Sequence, residues 1–239
     1  MNNINFDFSK DNVLVIGGSK GIGKEVCNLF SLYGAKNIYS IARTSSNNDN
    51  VKSLICDITD TNCLLETFSL ITDEINILIN VAGTNLCEPI ENITVDEWDR
   101  VNNTNLKSFF MSTKYFSSKM KKMKRGKIVN VASIAGRHKS IVSGIHYTSS
   151  KYGVIGLTKQ SAHELGPYGI NVNCTCPSQT MTEMLKKSMS KTQIKKLSQN
   201  IPIRRISTVT EQAMPILFLC TQAANYIHGA TIDVNGGQF

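Results

Sequence analysis

The stretch SGIHYTSSKYGVIG, residues 143 to 156, sets one histidine, two tyrosines and a lysine close together. Residues four apart on a helix share a face, so Tyr147 and Lys151 present their side chains to one pocket. A free tyrosine, with a pKa of about 10, is a poor acid–base catalyst near neutrality. A neighbouring ammonium favours the phenolate and moves that pKa towards the useful range. The pair is therefore a candidate for proton transfer, with Lys151 tuning Tyr147, although a bare Tyr-x-x-x-Lys also arises by chance in many helices. His146 points about 100° away around the helix and reads as a packing or substrate-side residue. Tyr152 has Gly156 where a partner lysine would stand, and reads as an aromatic packing residue.

A second stretch with chemical content is VLVIGGSKGIGKEV, where glycines 17, 18, 21 and 23 separate an apolar run from a helical pattern. Gly17 permits a tight turn, Gly21 lets backbone approach a pyrophosphate, and Gly23 allows close helix–strand packing. The pyrophosphate then sits at the positive end of the helix. The next apolar run ends in SIAR, and no carboxylate follows Arg43 until Asp49. In dinucleotide folds an acidic residue here binds the adenosine ribose, whereas an arginine accommodates a 2′-phosphate. NADP(H) is therefore favoured over NAD(H).

These residues need elements to hold them. Short apolar runs at 12–17, 37–42, 51–56, 75–80, 127–132, 170–175 and 230–234 alternate with helical patterns at 21–34, 61–73, 95–120, 149–165 and 209–223. That alternation predicts β-α-β units building an α/β fold: one Rossmann-type, doubly wound, parallel seven-stranded sheet with helices on both faces. No linker or repeat interrupts it, so residues 1–239 are read as a single domain. TSSNNDN, 44–50, is a surface loop, and 178–208 is a mobile helical excursion after a strand.

The chain of 239 residues, 41% hydrophobic and 18% charged, can bury a substantial core. It has no apolar run of membrane length and no leader-like start, so a soluble, cytoplasmic protein is expected. Its seven cysteines are scattered without metal-ligand spacing, which points to reduced, mostly buried thiols and no metal. A net charge of +8 raises the question of polyanions. The densest basic run, KMKKMKRGK at 119–127, stands where a helix ends and a strand begins, so cations complement the dipole and Arg-Gly supplies a stop. A solvated helix end is the favoured reading and docking of an acidic carrier protein the sharper one; neither nucleic acid nor membrane is expected.

With its glycine spacing G-x-x-x-G-x-G, the chain resembles the short-chain dehydrogenase/reductase family, and the likeness extends over residues 12–239. Ile16 replaces the family's usual threonine before the first glycine. The resemblance implies that Gly17, Ser19, Lys20, Gly21, Ile22 and Gly23 bind the cofactor, with Lys20 a second cation for the NADP phosphate. CDITD is similar to the adenine-contacting turn, through Asp57 and the Ile58 backbone; NVAG is similar to the family's N-N-A-G, which implicates Asn80, Ala82 and Gly83. PSQTMT stands where the family has P-G-x-x-x-T, so Pro177 and Thr182 are expected at the nicotinamide, while Ser178 replaces a glycine. NLKS makes Asn105 the fourth member of a set with Ser133, Tyr147 and Lys151. By the same resemblance Ser133 polarises the substrate oxygen, Tyr147 transfers the proton, Lys151 lowers its pKa and holds the nicotinamide ribose, and Asn105 positions a relay water. The closing NGG is similar to a region that relatives use in subunit contacts, so a homotetramer or homodimer is expected.

The expected activity is an NADPH-dependent carbonyl reductase or alcohol dehydrogenase acting on a small-molecule substrate, with a 3-oxoacyl thioester, carrier-linked or free, as the favoured class. Against a carrier, TNLCEPI after NVAG lacks the charged pair many such reductases place there. A sugar or small polar alcohol is the alternative, and a non-catalytic NADP-binding regulatory protein is the rival from another class.

Overall fold

The computed structural model describes residues 6–140, 142–183, 185 and 190–238. Burial on both faces produces continuous apolar strands, and the seven runs read from the sequence each become one. They are β1 (Asn12–Ile16), β2 (Asn37–Ala42), β3 (Val51–Ile55), β4 (Ile77–Asn80), β5 (Gly126–Val131), β6 (Ile170–Pro177) and β7 (Thr231–Val234). All pair in parallel, in the order 3-2-1-4-5-6-7. The chain winds outward from β1 in both directions, which opens a crevice beyond the carboxyl ends of β1 and β4.

Alternation along β1 shows how the two faces are filled. Leu14 and Ile16 join Leu64, Phe68, Phe109, Phe116 and Val154 on one side, and Val13 and Val15 join Val26, Phe30, Ile216 and Leu217 on the other. The first face is covered by α2 (Thr61–Ser69), α4 (Ser108–Met123) and α5 (Ile145–Leu165), and the second by α1 (Gly21–Leu32) and α7 (Val209–Cys220). No described helix is long and apolar enough to cross a membrane.

Two local features depart from the expected pattern. The helix expected over 95–120 is α3 (Val95–Asn102) and α4 joined by a π-helical turn, Asn103–Lys107. Single π turns inside helices commonly mark functional positions. Helix α5 starts at Ile145, ahead of the expected 149, so Tyr147 lies in its first turn. In the 178–208 excursion, α6 (Lys191–Gln199) is fixed at its start by a capping box of Ser190 and Gln193. Residues 184 and 186–189 of that excursion lie outside the described residues.

The basic run ends α4, as read, although the left-handed residue is Lys124 (φ 50°) rather than a glycine. Within the run, Lys119 lies over the Tyr115 ring and Lys121 over that of Tyr168. Arg125 pairs with Asp11, and Lys127 donates to Asn171 and Asn225. These cations are therefore engaged within the fold.

A buried polar chain ties β4 and β5 to the helices beneath them. Asn80 and Asn130 are register partners, and the Asn80 amide donates to Asn130 Oδ1 at 2.8 Å. Ser112 of α4 donates to Asn80 Oδ1 at 2.6 Å, and Asn130 donates to Thr158 of α5 at 2.9 Å. All four side chains are fully buried. Replacing Asn130 with alanine strands the Asn80 donor, and such orphaned groups cost about 1–3 kcal/mol. Urea unfolding of Asn130→Ala is expected to show a loss of about 2 kcal/mol; an unchanged midpoint contradicts the bracing role.

Candidate active site

The proton-transfer candidates converge from three elements at the carboxyl end of the sheet. Ser133 follows β5 in extended backbone and caps the short turn Ile134–Gly136, its Oγ accepting from Ala135 N at 3.1 Å. Tyr147 comes from the first turn of α5. Burial pushes its phenol above the usual pKa, and a hydrogen bond with Ser133 opposes that shift. Lys151, one turn on, is 3% exposed and donates to the Val131 carbonyl at 2.9 Å. Its Nζ stands 5.7 Å from the Tyr147 ring centroid and 5.5 Å from that of Phe109. Burial pulls this ammonium down to about 8, against opposing effects of Cys174 and Cys176.

Asn105 projects from the π turn and is fully buried. Its Oδ1 accepts from Thr84 N at 2.8 Å, and its Nδ2 donates to Thr84 O and Ser150 Oγ, both at 3.0 Å. Ser150 in turn donates to the Tyr147 carbonyl at 2.7 Å. Asn105 therefore clamps the loop after β4 to the first turn of α5. A Cβ on Gly83 would stand 3.6 Å from Lys151 Nζ and 3.7 Å from Asn105 Oδ1. Glycine at this point leaves a space walled by both groups.

The glycine loop forms the other half of the crevice. Gly17 has φ +96°, and a Cβ there would lie 2.7 Å from the Ala82 backbone. A Cβ on Gly23 would meet the Gly17 carbonyl at 2.1 Å, so only glycine lets α1 approach the loop this closely. Thr182 lies over this loop, its Cγ2 3.4 Å from where a Gly21 Cβ would be. Lys20 and Arg43 are exposed, and Thr44 donates to Ser19 at 3.1 Å, joining the loop to the end of β2. Asp57 caps its own turn, accepting from Thr59 N and Oγ1. Its carboxyl sits below the ordinary value chiefly through those bonds, with Arg43 adding a smaller pull. A pyrophosphate and adenosine fit this cradle: backbone without side chains at the helix start, and cations at its outer edge.

Two expectations need correction. The net shift of the Tyr147 phenol is upward rather than towards neutrality, because burial outweighs the hydrogen bond to Ser133, so the proton rests on the phenol. Asn80 stands at the carboxyl end of β4, as expected, with its carboxamide held by Asn130 and Ser112, so that its backbone is what faces the crevice side of the strand end. Tyr152 is 48% exposed, on the outer face of α5, and fills no core. His146, by contrast, agrees with the packing reading: it is fully buried, without a hydrogen-bond partner for either ring nitrogen, and lies 3.8 Å from Glu97 Oε1. The Val131 carbonyl, Thr84 and Ser150 escaped the sequence reading. The first two act through backbone atoms, which leave no residue-type signal, while Ser150 sits three after Tyr147 and was within reach of a helical count.

A family model for short chain dehydrogenases matches residues 11–193. The 3-oxoacyl-acyl-carrier-protein reductase FabG of Buchnera aphidicola is 34% identical over 96% of this chain and 98% of its own. An acetoacetyl-CoA reductase of Shinella zoogloeoides is 31% identical over 95% and 97%. Among solved structures, ElxO with NADP bound superposes with a TM-score of 0.88 at 30% identity, covering 95% of this chain and 98% of that one. The chain belongs to the short-chain dehydrogenase family and is an oxidoreductase that works with a nicotinamide cofactor between a carbonyl and its alcohol.

Proposed function

We propose that the chain reduces 3-oxoacyl thioesters with NADPH, and that Ser133, Tyr147, Lys151 and Asn105 carry the reaction. The observation that bears most on this reading is the meeting of Ser133, Tyr147 and Lys151 beyond Gly83, with Asn105 holding the loop and helix together. Similarity to reductases named for 3-oxoacyl and acetoacetyl thioesters favours that substrate class over sugars.

When bound, the dihydronicotinamide supplies hydride to the carbonyl carbon. The protein's part is to place and protonate the oxygen. Ser133 hydrogen-bonds it, and Tyr147, kept as the neutral phenol by burial, donates its proton as negative charge develops. Lys151 holds the nicotinamide ribose and stabilises the tyrosinate left behind. Asn105 Oδ1, beyond its bond to Thr84, retains a lone pair with which to seat a water for reprotonation. Lys20 and Arg43 hold the 2′-phosphate at the outer end. The exposed rings of Phe110 and Tyr152 on the adjoining helices α4 and α5 support a homo-oligomer.

Tyr147→Phe is expected to lower kcat on acetoacetyl-CoA by about 10²–10⁴-fold while NADPH binding persists. Turnover at the native rate removes Tyr147 from the mechanism, and silence of the native protein with thioesters, ketoses and diketones despite tight NADPH binding favours a binding protein.

Arg43→Asp is expected to weaken NADPH about 10- to 100-fold, some 1.4–2.8 kcal/mol, and to spare NADH. Equal native dissociation constants for the two cofactors, measured by fluorescence titration, contradict the assignment.

Lys151 is a cation below about pH 8 and loses its charge above it. The kcat/KM for NADPH, which reports the free enzyme, should fall as pH rises through that value. Lys151→Arg, always charged, should lower the rate but abolish this limb. A limb that persists in the variant assigns the titration elsewhere.

A further inference from the structure

Two cysteines that the reduction does not use lie in contact at the adenosine end of the crevice. Cys56 ends the run of β3 into the turn bearing Asp57 and Ile58, and Cys63 lies in the first turn of α2. Their sulfurs are 2.8 Å apart, with the Cys63 thiol pointing at Cys56. A disulfide is about 2.05 Å long, so bond formation requires only a small closing movement. The two thiols differ in access. Cys56 is 3% exposed, whereas Cys63 is half-buried and within reach of a small oxidant.

Cys56 also bears on the turn itself. Its thiol donates to the Asp57 carbonyl at 3.4 Å, and that carbonyl accepts from Asp60 N at 3.0 Å, where α2 is capped. Its backbone N–H donates to the Ala42 carbonyl at 3.1 Å, just before Arg43. One residue thus joins the Asp57 turn to the strand end carrying the arginine. We propose that Cys56 and Cys63 form a redox pair, which a hydroperoxide converts to an intramolecular disulfide that loosens the nucleotide's adenosine end.

With hydrogen peroxide, Cys63 sulfur attacks one oxygen, the O–O bond breaks, and the departing hydroxide leaves with the Cys63 proton as water, producing a sulfenic acid. Cys56 sulfur then attacks Cys63 sulfur; the S–O bond breaks and the departing hydroxide leaves with the Cys56 proton as a second water. Two thiols are oxidised and one peroxide is reduced. Burial pushes the Cys56 thiol up to about 12, which disfavours it as the first sulfur to be oxidised; its attack in the second step rests on the contact between the two sulfurs. Once bonded, Cys56 has no S–H for the Asp57 carbonyl, and the turn is tied to the first turn of α2. The coupling to nucleotide rests on the proposed adenosine contacts of Asp57 and Arg43; the disulfide does not.

The test treats the full-length protein with a small excess of hydrogen peroxide, maps its peptides without reduction, and measures NADPH affinity before and after. A Cys56–Cys63 cross-linked peptide, absent from Cys63→Ser, together with an affinity fall of about fivefold or more that dithiothreitol reverses, is the expected result. Absence of the cross-link, or oxidation confined to Cys87 or to Cys174 and Cys176, overturns the pair. A cross-link with unchanged affinity, when Asp57→Ala weakens NADPH, overturns the coupling alone. If Asp57→Ala is also without effect, the failure belongs to the adenosine-site reading.

Discussion

A lysine ammonium buried at the end of a parallel sheet is the constraint around which the rest of this site is organised. An isolated charge in such a place is expensive unless its donors are met. Lys151 is met by one carbonyl, at Val131, and by the faces of two rings, Phe109 and Tyr147. Each comes from a different element, so β5, α4 and α5 must keep their relative positions for the charge to be tolerated. The Asn80–Asn130 pair, bonded to Ser112 of α4 and Thr158 of α5, ties the same three elements together one layer deeper. Stability of the core and placement of the ammonium are therefore one problem with one solution.

The two halves of the crevice are built on different principles. The nucleotide side is mostly backbone, brought close by glycines whose missing side chains let loop, strand and helix touch. The proton-transfer side is side chains held by other side chains and by the loop after β4. This division explains why a change on one side need not disturb the other, and why the meeting point at Gly83 has no side chain of its own.

The strands were legible because burial on both faces writes itself as uninterrupted apolar runs, and all seven fall within two residues of where those runs lie. The glycine loop and the Tyr147–Lys151 spacing were legible because both depend on residue type at fixed separation. Other features were not. Tyr152 was assigned to packing because an aromatic beside glycines looks like a filler, yet helix phase puts it outside. The raised phenol of Tyr147 depends on burial by residues distant in sequence, which a local spacing cannot report. Asn80 was matched by its motif, but the direction of its side chain is decided by a partner fifty positions away.

The π turn between α3 and α4 has a consequence for how this segment tolerates change in length. The inward positions run Val101 and Asn105, then Ser108, Phe109, Ser112 and Thr113. In a regular α-helix Val101 and Asn105, four apart, would differ by about 40° around the axis. The wider turn that begins at Asn103 takes up that offset and brings the carboxamide into line with a row of core side chains. The insertion is thus a phase correction: losing one residue there would leave a sound helix whose asparagine looks the wrong way.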